Sequence, residues 1–250
     1  MYDWPEVTKA TDAWARGILT HLGRVSVELD RNPDYFAAWR RADLDFSQTC
    51  GYPFTHEFRR RLSYVATPHY VVPGCEGPNY CSFIFAREHR LLAEFRGQRA
   101  AVNNPDSMSG MLALKLVFAR HAQDGLFFSR AIESGSHIKS MIAVRDGKAD
   151  ICAIDSVCVA LARRYRPDYL DGLVEVARSP MVPSLPFVTA LGRDPAQRRL
   201  ALAAAFADPG LAPAREALFL DSHSVLAEGA YDLILRLERQ MDEAGGLDLI

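Results

Sequence analysis

The sequence predicts an α/β protein. Short runs that read as strands alternate along the chain with helix-like runs of about 10 to 15 residues, the pattern of βαβ units and parallel sheets. The chain has 250 residues, of which 49% are hydrophobic, so it can bury the core of one large domain or of two smaller lobes. It contains no internal repeat and no low-complexity tract.

The predicted helices have apolar residues near a 3.6-residue period. The first, "TKATDAWARGILTHLG" (8–23), is amphipathic and ends at Gly23, a candidate C-cap. Another, near 109–122, follows a turn-forming segment rich in serine. The predicted helices are 8–23, 33–42, 109–122, 136–148, 157–167, 194–207 and 229–244.

The predicted strands are short and either alternate or are apolar throughout. "RVSVELD" (24–30) alternates, whereas "YCSFIFARE" (80–88) and "ADICAIDS" (149–156) are nearly continuous apolar runs. The predicted strands are 24–30, 43–49, 80–88, 99–104, 149–156, 173–179 and 185–191.

Composition excludes several functional classes. The formal net charge of −2 provides no field that would draw the protein to nucleic acid or to an anionic membrane. No apolar run is long enough to span a bilayer. The beginning, "MYDWPEVTKATDAW", lacks the basic and apolar regions of a signal peptide, so the chain as written is expected in the cytoplasm unless a leader precedes it.

The five cysteines form no CxxC pair, which argues against a zinc site and against a full disulfide framework. Cys75 and Cys81 are close enough in sequence to pair if the protein is exported. The alternative is that both are ordinary, partly buried thiols.

Three polar junctions follow predicted strands, where open α/β sheets bind ligands. They are "SQTCGY" (47–52), "NNPDSMSG" (103–110) and "AIDS" (153–156). In the second, Asp106 or Ser107 can cap the next helix. The free N–H groups and the dipole at the start of a helix favour an anion, and Gly110 would let a ligand approach the backbone closely. The alternative is a plain N-cap.

Two further residues are candidates near this segment. His137, at the start of a predicted helix, could donate a hydrogen bond to an anion or simply cap the helix. Asp155, at the end of a strand, could face a ligand or cap the following helix. A hydrolase that uses Ser109, His137 and Asp155 is disfavoured, because both glycines of the G-x-S-x-G nucleophile elbow are missing. The Walker and Rossmann phosphate motifs are absent as well.

The order of these motifs resembles the substrate-binding proteins of phosphonate-type ABC transporters. Those proteins carry an N-D-P-x-S-x-S-G anion loop, then a G-x-H segment, then a V-x-x-G-x-x-D strand entry, which "NNPDSMSG", "GSH" and "VRDGKAD" resemble. "NPDYFAAWRRADLDFSQTCGY" (32–52) and "SPMVPSLPFVTA" (179–190) resemble further family segments. The matching elements span about residues 30–190.

The resemblance implies the type II periplasmic-binding fold, with two lobes joined by two crossing strands. Each lobe would be a mostly parallel sheet flanked by helices. Lobe one would comprise residues 1–78 and 186–250, and lobe two residues 79–185 with the anion loop.

The resemblance also implies the ligand contacts. Ser107, the backbone N–H of Met108, Ser109 and His137 would hold an oxyanion, and Tyr35 matches a family tyrosine. Aminophosphonate binders place a second cleft tyrosine where this chain has Gln48 and Thr49.

The two carboxylates that bind the ligand amino group in aminophosphonate binders are replaced in this chain. Val157 stands at the position of the first, with Asp155 two residues earlier. Ser184 or Leu185 stands at the position of the second. This makes 2-aminoethylphosphonate a doubtful ligand. Tyr2, with its neighbours, would lie at the mouth of the site.

The function implied by the resemblance is capture of a small phosphonate-, phosphite- or phosphate-like oxyanion in an interlobe cleft for an ABC importer. The expected partners are the ligand and the membrane subunits of the transporter, with no nucleic acid. The protein would be a periplasmic monomer and not an enzyme, with neither cofactor nor metal. One alternative is another small organic ligand, such as a thiamine-precursor pyrimidine, stacked on some of the aromatic residues Tyr2, Trp4, Tyr35, Tyr52 and Tyr80. The other is a cytoplasmic ligand-sensing protein.

Overall fold

Helices and strands alternate in this computed structural model, which describes residues 2–24, 29–31 and 34–249. The helices are α1 (Thr8–His21), α2 (Tyr35–Trp39), α3 (Gly51–Pro53), α4 (Ala113–Phe118), α5 (His137–Arg145), α6 (Ser156–Tyr165), α7 (Pro195–Ala207), α8 (Ala212–Ala217) and α9 (Asp232–Glu243). A π-helical turn, Phe54–Phe58, continues α3, and another, Met108–Leu112, leads into α4. Within the described ranges, no helix is both long and apolar enough to cross a membrane.

The strands of the described residues form three sheets. They are β1 (Ser47–Gln48), β2 (Leu62–Tyr70), β3 (Cys75–Glu76), β4 (Asn79–Tyr80), β5 (Ser82–Ala86), β6 (Arg99–Val102), β7 (Arg130–Glu133), β8 (Ile151–Asp155), β9 (Val174–Arg178), β10 (Val182–Pro183), β11 (Phe187–Ala190) and β12 (Leu220–Ser224). Most predicted elements are present with shifted ends, and the elements that were not predicted are α3, α8, β2, β3, β7, β10 and β12. The predicted strand 24–30 falls largely on residues 25–28, which lie outside the described residues, as do residues 32 and 33.

The chain divides into two compact units. The first contains Met1–Val71, Glu76–Pro78 and Pro183–Glu228, and the second Val72–Cys75, Asn79–Val182 and Gly229–Ile250. The sequence placed residues 229–250 in the first lobe, and the structure differs. Helix α9 packs against α4 of the second unit, and the N–H of Asp248 donates to the carbonyl of Gly125 at 2.8 Å.

The sheet of the first unit has the order β1-β11-β2-β12, and each pair of its described strands is antiparallel. The prediction of a mostly parallel sheet is therefore wrong for these pairs. Strands β1 and β2 do run in the same direction, as a βαβ unit requires, because both are antiparallel to β11. Strand β11, which is distant in sequence, lies between β1 and β2, so each of them pairs with β11 and not with the other.

The sheet of the second unit has the order β7-β6-β8-β5-β9. Strand β6 is parallel to β7 and β8, while β5 is antiparallel to β8 and β9. Four of these strands therefore share one direction, as predicted. Strands β5 and β8 are buried along their whole length, which explains their continuous apolar sequences.

This topology decides where polar segments meet. The carboxyl ends of β6, β7 and β8 lie at one edge of the second unit's sheet. Strand β5 begins at the same edge, because Ser82 is paired with Asp155. The loops that follow Val102, Glu133 and Asp155 are therefore brought together, although they are far apart in sequence.

Candidate functional site

The anion loop, residues 103–110, leaves the sheet after β6 and starts a helix. Ser107 has extended backbone angles (φ −96°, ψ 126°), and its Oγ accepts a hydrogen bond from the N–H of Gly110 at 3.0 Å. The carbonyl of Ser107 accepts from the N–H of Leu112 at 2.9 Å. Of the two N-cap candidates that the sequence offered, Asp106 and Ser107, Ser107 is therefore the cap, on a helical segment that continues through α4.

The first residues of this helical segment are shielded from solvent. Ser107 and Ser109 are each 5% exposed, and Met108 is 1% exposed. The first N–H groups of a helix have no partner within the helix, and its dipole places partial positive charge there. The start of the segment is therefore electrostatically suited to an anion.

His137 lies beside this loop, because β7 ends at the same sheet edge as β6. Ser136 caps α5 by accepting from the N–H of Lys139 at 3.2 Å, and His137 is the first residue of that helix. Its Nε2 lies 2.9 Å from the Oγ of Ser109, within hydrogen-bond distance. The structure therefore joins two residues that are 28 positions apart in sequence.

The imidazole of His137 is neutral at pH 7. Burial lowers its pKa to about 4, against a smaller opposing effect of the Ala153 backbone carbonyl. Among the described residues, the buried Nδ1 atom has no hydrogen-bond partner of good geometry. An anion close to the ring would offset the cost of burial and raise this pKa, so the ring can respond to a ligand by taking up a proton.

Asp155 has the capping role that the sequence left as one of two alternatives. Its carboxylate accepts from the N–H groups of Val157 at 2.7 Å and Cys158 at 3.4 Å, at the start of α6. The side chain is almost completely buried. Asp155 lies at the predicted sheet edge, and its Oδ1 accepts both of these hydrogen bonds from the first turn of α6.

Tyr80 lies beside this edge, two residues before the start of β5, and is 2% exposed. Ser156 Oγ donates to the carbonyls of Gly74 and Cys81, which ties the start of α6 to the chain around Tyr80. Cys75 and Cys81 are both free thiols. The second unit thus contains Ser107, Met108, Ser109, His137, Asp155 and Tyr80.

The other candidates, Tyr2, Tyr35, Gln48 and Thr49, lie in the first unit. The Nε2 of Gln48 donates to the hydroxyl of Tyr70 and to the carbonyl of Leu185, both at 3.0 Å. The ring of Tyr2 meets that of Tyr70 edge to face, with centroids 5.5 Å apart. Tyr70 is therefore a member of this group that the sequence missed, because β2 was not predicted.

Thr49 and Tyr35 each contact another residue of the first unit. Thr49 is buried, and its N–H donates to the carbonyl of Pro186 at 3.1 Å. The ring of Tyr35 packs against Trp39, with centroids 5.0 Å apart.

The geometry argues against the hydrolase alternative. Ser109 and His137 are at the distance of a nucleophile and its base, but the Nδ1 of His137 faces no carboxylate. Asp155, the third residue of the triad considered from the sequence, caps α6 instead. A histidine with a pKa of about 4 is also a weak general base at neutral pH.

The sequence matches one protein family, described as "ABC transporter, phosphonate, periplasmic substrate-binding protein", over residues 6–224. The match covers most of the chain. This protein belongs to that family. Members of this phosphonate-binding family are periplasmic substrate-binding components of transporters and not enzymes. A search of curated proteins found no match.

Solved structures show the same fold. A binding protein component of an ABC phosphonate transporter from Pseudomonas aeruginosa has a TM-score of 0.78 at 17% identity, over 96% of this chain and 83% of that one. PhnD1 from Prochlorococcus marinus, in complex with methylphosphonate, has a TM-score of 0.74 at 14% identity, over 94% and 93%. A Xanthomonas citri protein bound to ATP has a TM-score of 0.70 at 18% identity, over 96% and 94%. These similarities confirm the predicted type II periplasmic-binding fold of this phosphonate-binding family member.

Proposed function

We propose that this protein captures a small oxyanion at the Ser107–Ser109 helix start and delivers it to the membrane subunits of an ABC importer. The ligand class is a phosphonate-, phosphite- or phosphate-like compound. The observation that carries this proposal is the 2.9 Å contact between Ser109 Oγ and His137 Nε2 at the start of a buried helical segment. Two hydroxyl groups, the first backbone N–H groups of the helical segment and an imidazole that can gain a proton therefore lie near one another.

Binding would rely on hydrogen bonds that water cannot easily replace. The serines are nearly inaccessible to solvent, so an oxyanion held there exchanges bulk water for fixed donors in a low-dielectric setting. A ligand without acceptor oxygens would gain nothing from these donors and would bind weakly. The same argument disfavours a ligand selected by ring stacking alone.

The rest of the ligand is expected to be small and uncharged. Val157, at the position where aminophosphonate binders carry an acid, is 1% exposed and apolar. A ligand ammonium would find no carboxylate at that position, so we expect methylphosphonate, phosphite or phosphate to bind more tightly than 2-aminoethylphosphonate. Because the family is periplasmic, we propose the periplasm as the place of capture.

Isothermal titration calorimetry of ligand-free protein with these four compounds tests the proposal. Ser109→Ala should weaken binding of the preferred compound by about 10- to 150-fold, the effect of losing one hydrogen bond to a charged group. Ser129→Ala is the matched control, because Ser129 is exposed in the same unit and its Oγ only contacts the carbonyl of Gln98.

Two results would contradict the proposal. The first is no heat with any of the four compounds in protein shown to be folded and ligand-free. The second is equal affinity of the Ser109→Ala and Ser129→Ala variants for the bound oxyanion. Tight binding of a thiamine-precursor pyrimidine that is insensitive to Ser109→Ala would favour the stacked organic ligand instead.

A further inference from the structure

Gly110, in the anion loop, is required for space and not for backbone conformation. It has no positive φ, so an alanine would adopt its backbone angles without strain. A Cβ added there would lie 1.7 Å from the Oδ1 and 2.8 Å from the Cγ of Asn103. The expectation that Gly110 leaves room for a ligand is therefore wrong on this side, because the amide of Asn103 fills that space.

Asn103 also contacts the segment that carries His137. Its backbone carbonyl accepts from the N–H of Gly135 at 2.8 Å. The preceding residue, Val102, accepts from the N–H of Ser134 at 2.8 Å and from its Oγ at 3.1 Å. The backbone at Asn103 thus holds the approach to α5, while its side chain packs on the helix start that carries Ser109.

The contact of the Asn103 amide with Gly110 has an energetic cost. Its Oδ1 is buried and has no hydrogen-bond partner among the described residues. A buried carbonyl without a donor loses the hydrogen bond that water would give it in the unfolded chain. What the amide contributes at this position is its shape, which fits against a residue that has no side chain.

We propose that Asn103 is a positioning residue that, with Gly110, holds the Ser109 hydroxyl against the His137 ring. The backbone carbonyl of Asn103 holds the segment that leads to His137. Its side chain limits how closely the helix start that carries Ser109 can approach. The proposal rests on the proposed function for its value to ligand binding, but the arrangement itself exists in the ligand-free protein. A larger residue at 110 would displace the amide, and a smaller one at 103 would let the loop move.

The test uses four variants: Asn103→Ala, Gly110→Ala, the double variant, and Asn104→Ala as a control. Asn104 is the adjacent residue of the same type, and its backbone carbonyl, which accepts from the N–H of Ser107, is retained. The first measurement is an NMR titration of the His137 ring without ligand. The second is calorimetric titration with methylphosphonate, and circular dichroism checks the fold.

If Asn103 positions the pair, Gly110→Ala raises the pKa of His137 from about 4 toward 6.5, because a displaced loop admits water to the ring. Asn103→Ala produces a smaller rise, and Asn104→Ala leaves the pKa as in the wild type. The double variant resembles Asn103→Ala, because removing the amide removes the clash. Methylphosphonate binding falls about tenfold in Gly110→Ala and partly recovers in the double variant.

The proposal is overturned if folded Gly110→Ala keeps the wild-type pKa of His137. It is equally overturned if the double variant is no closer to the wild type than Gly110→Ala. Should Gly110→Ala fail to fold, identical His137 titrations of Asn103→Ala and Asn104→Ala would overturn it. A wild-type protein that does not bind methylphosphonate bears on the proposed function alone, because the titration of His137 needs no ligand.

Discussion

The candidate residues of the two units differ in how their polar groups are used. In the second unit, Ser109 and His137 contact each other, and among the described residues the Nδ1 of His137 has no hydrogen-bond partner of good geometry. In the first unit, the amide of Gln48 donates both to Tyr70 and to Leu185. Both groups are engaged within their own units, but the amide of Gln48 cannot gain a charge, whereas the His137 ring can take up a proton when an anion is near. We therefore expect the second unit to carry most of the affinity for an oxyanion.

The largest predicted effect is on ligand affinity, and it should distinguish the candidate residues of the second unit from those of the first. His137→Gln should weaken methylphosphonate binding by about 10- to 150-fold, because it removes the one side chain of the pair that can become positively charged. Gln48→Ala should change that affinity by less than about threefold, because its lost bonds lie within the first unit. Calorimetric titration of both variants at pH 7 measures the two values side by side.

A matched loss of affinity in the two variants would remove the distinction between the units. A melting curve for each is the necessary control, because Gln48→Ala also removes two hydrogen bonds from the first unit. Each such bond contributes about 1 kcal/mol to the free energy of unfolding, so this variant is expected to melt earlier but still to bind.

The second effect is on stability and depends on pH. The pKa of His137 is lowered from 6.5 to about 4 in the folded protein by burial. Above pH 6.5 the ring is neutral in both states. Between pH 6.5 and 4 the unfolded chain binds a proton that the folded protein does not, so the free energy of unfolding falls as the pH falls, by at most about 3 kcal/mol.

Urea denaturation of the wild type and of His137→Gln at pH 7 and pH 4.5 measures this contribution. Other histidines, such as His69 and His223, also have pKa values lowered by burial, but they titrate equally in both proteins. The wild type should lose more stability than the variant on acidification. Parallel losses would mean that His137 is not a buried, neutral residue.

The smallest effect concerns the cap at the same sheet edge. Asp155→Ala should lower the free energy of unfolding by about 2 kcal/mol, the upper range for an N-cap, because the carboxylate is buried and holds two N–H groups. Asp194→Ala removes an exposed cap, which accepts from Ala196, and should cost about 1 kcal/mol or less. Thermal melting of both variants ranks them, and the reverse order would indicate that Asp155 has a role other than capping.

The sequence predicted the second unit better than the first, for physical reasons. Strands β5 and β8 are buried on both faces, and their continuous apolar runs are a strong local signal. Strand β2 contains Pro68 and His69 and has no clear alternation, so neither period identifies it. The position of β11 between β1 and β2 depends on pairing with distant residues, which no local pattern contains.

The site shows the same division. Helix starts have local signals, and Ser107, Ser136 and Asp155 are all caps at helices that the sequence predicted. The distance between Ser109 and His137 follows from the parallel pairing of β6 with β7, a strand that was not predicted. Only the resemblance to a family placed the two residues at one ligand. The contact between Asn103 and Gly110 could not be predicted, because a glycine in a turn-forming loop has many explanations.

An NMR titration of the His137 ring, with and without saturating methylphosphonate or phosphite, tests most directly whether the Ser109–His137 pair binds an oxyanion. The pKa should be about 4 without ligand and should rise in the complex, because a bound anion stabilises the imidazolium. Ser109→Ala should reduce that rise at the same ligand concentration. A His137 pKa that is unchanged when the protein is saturated with either anion would contradict the claim.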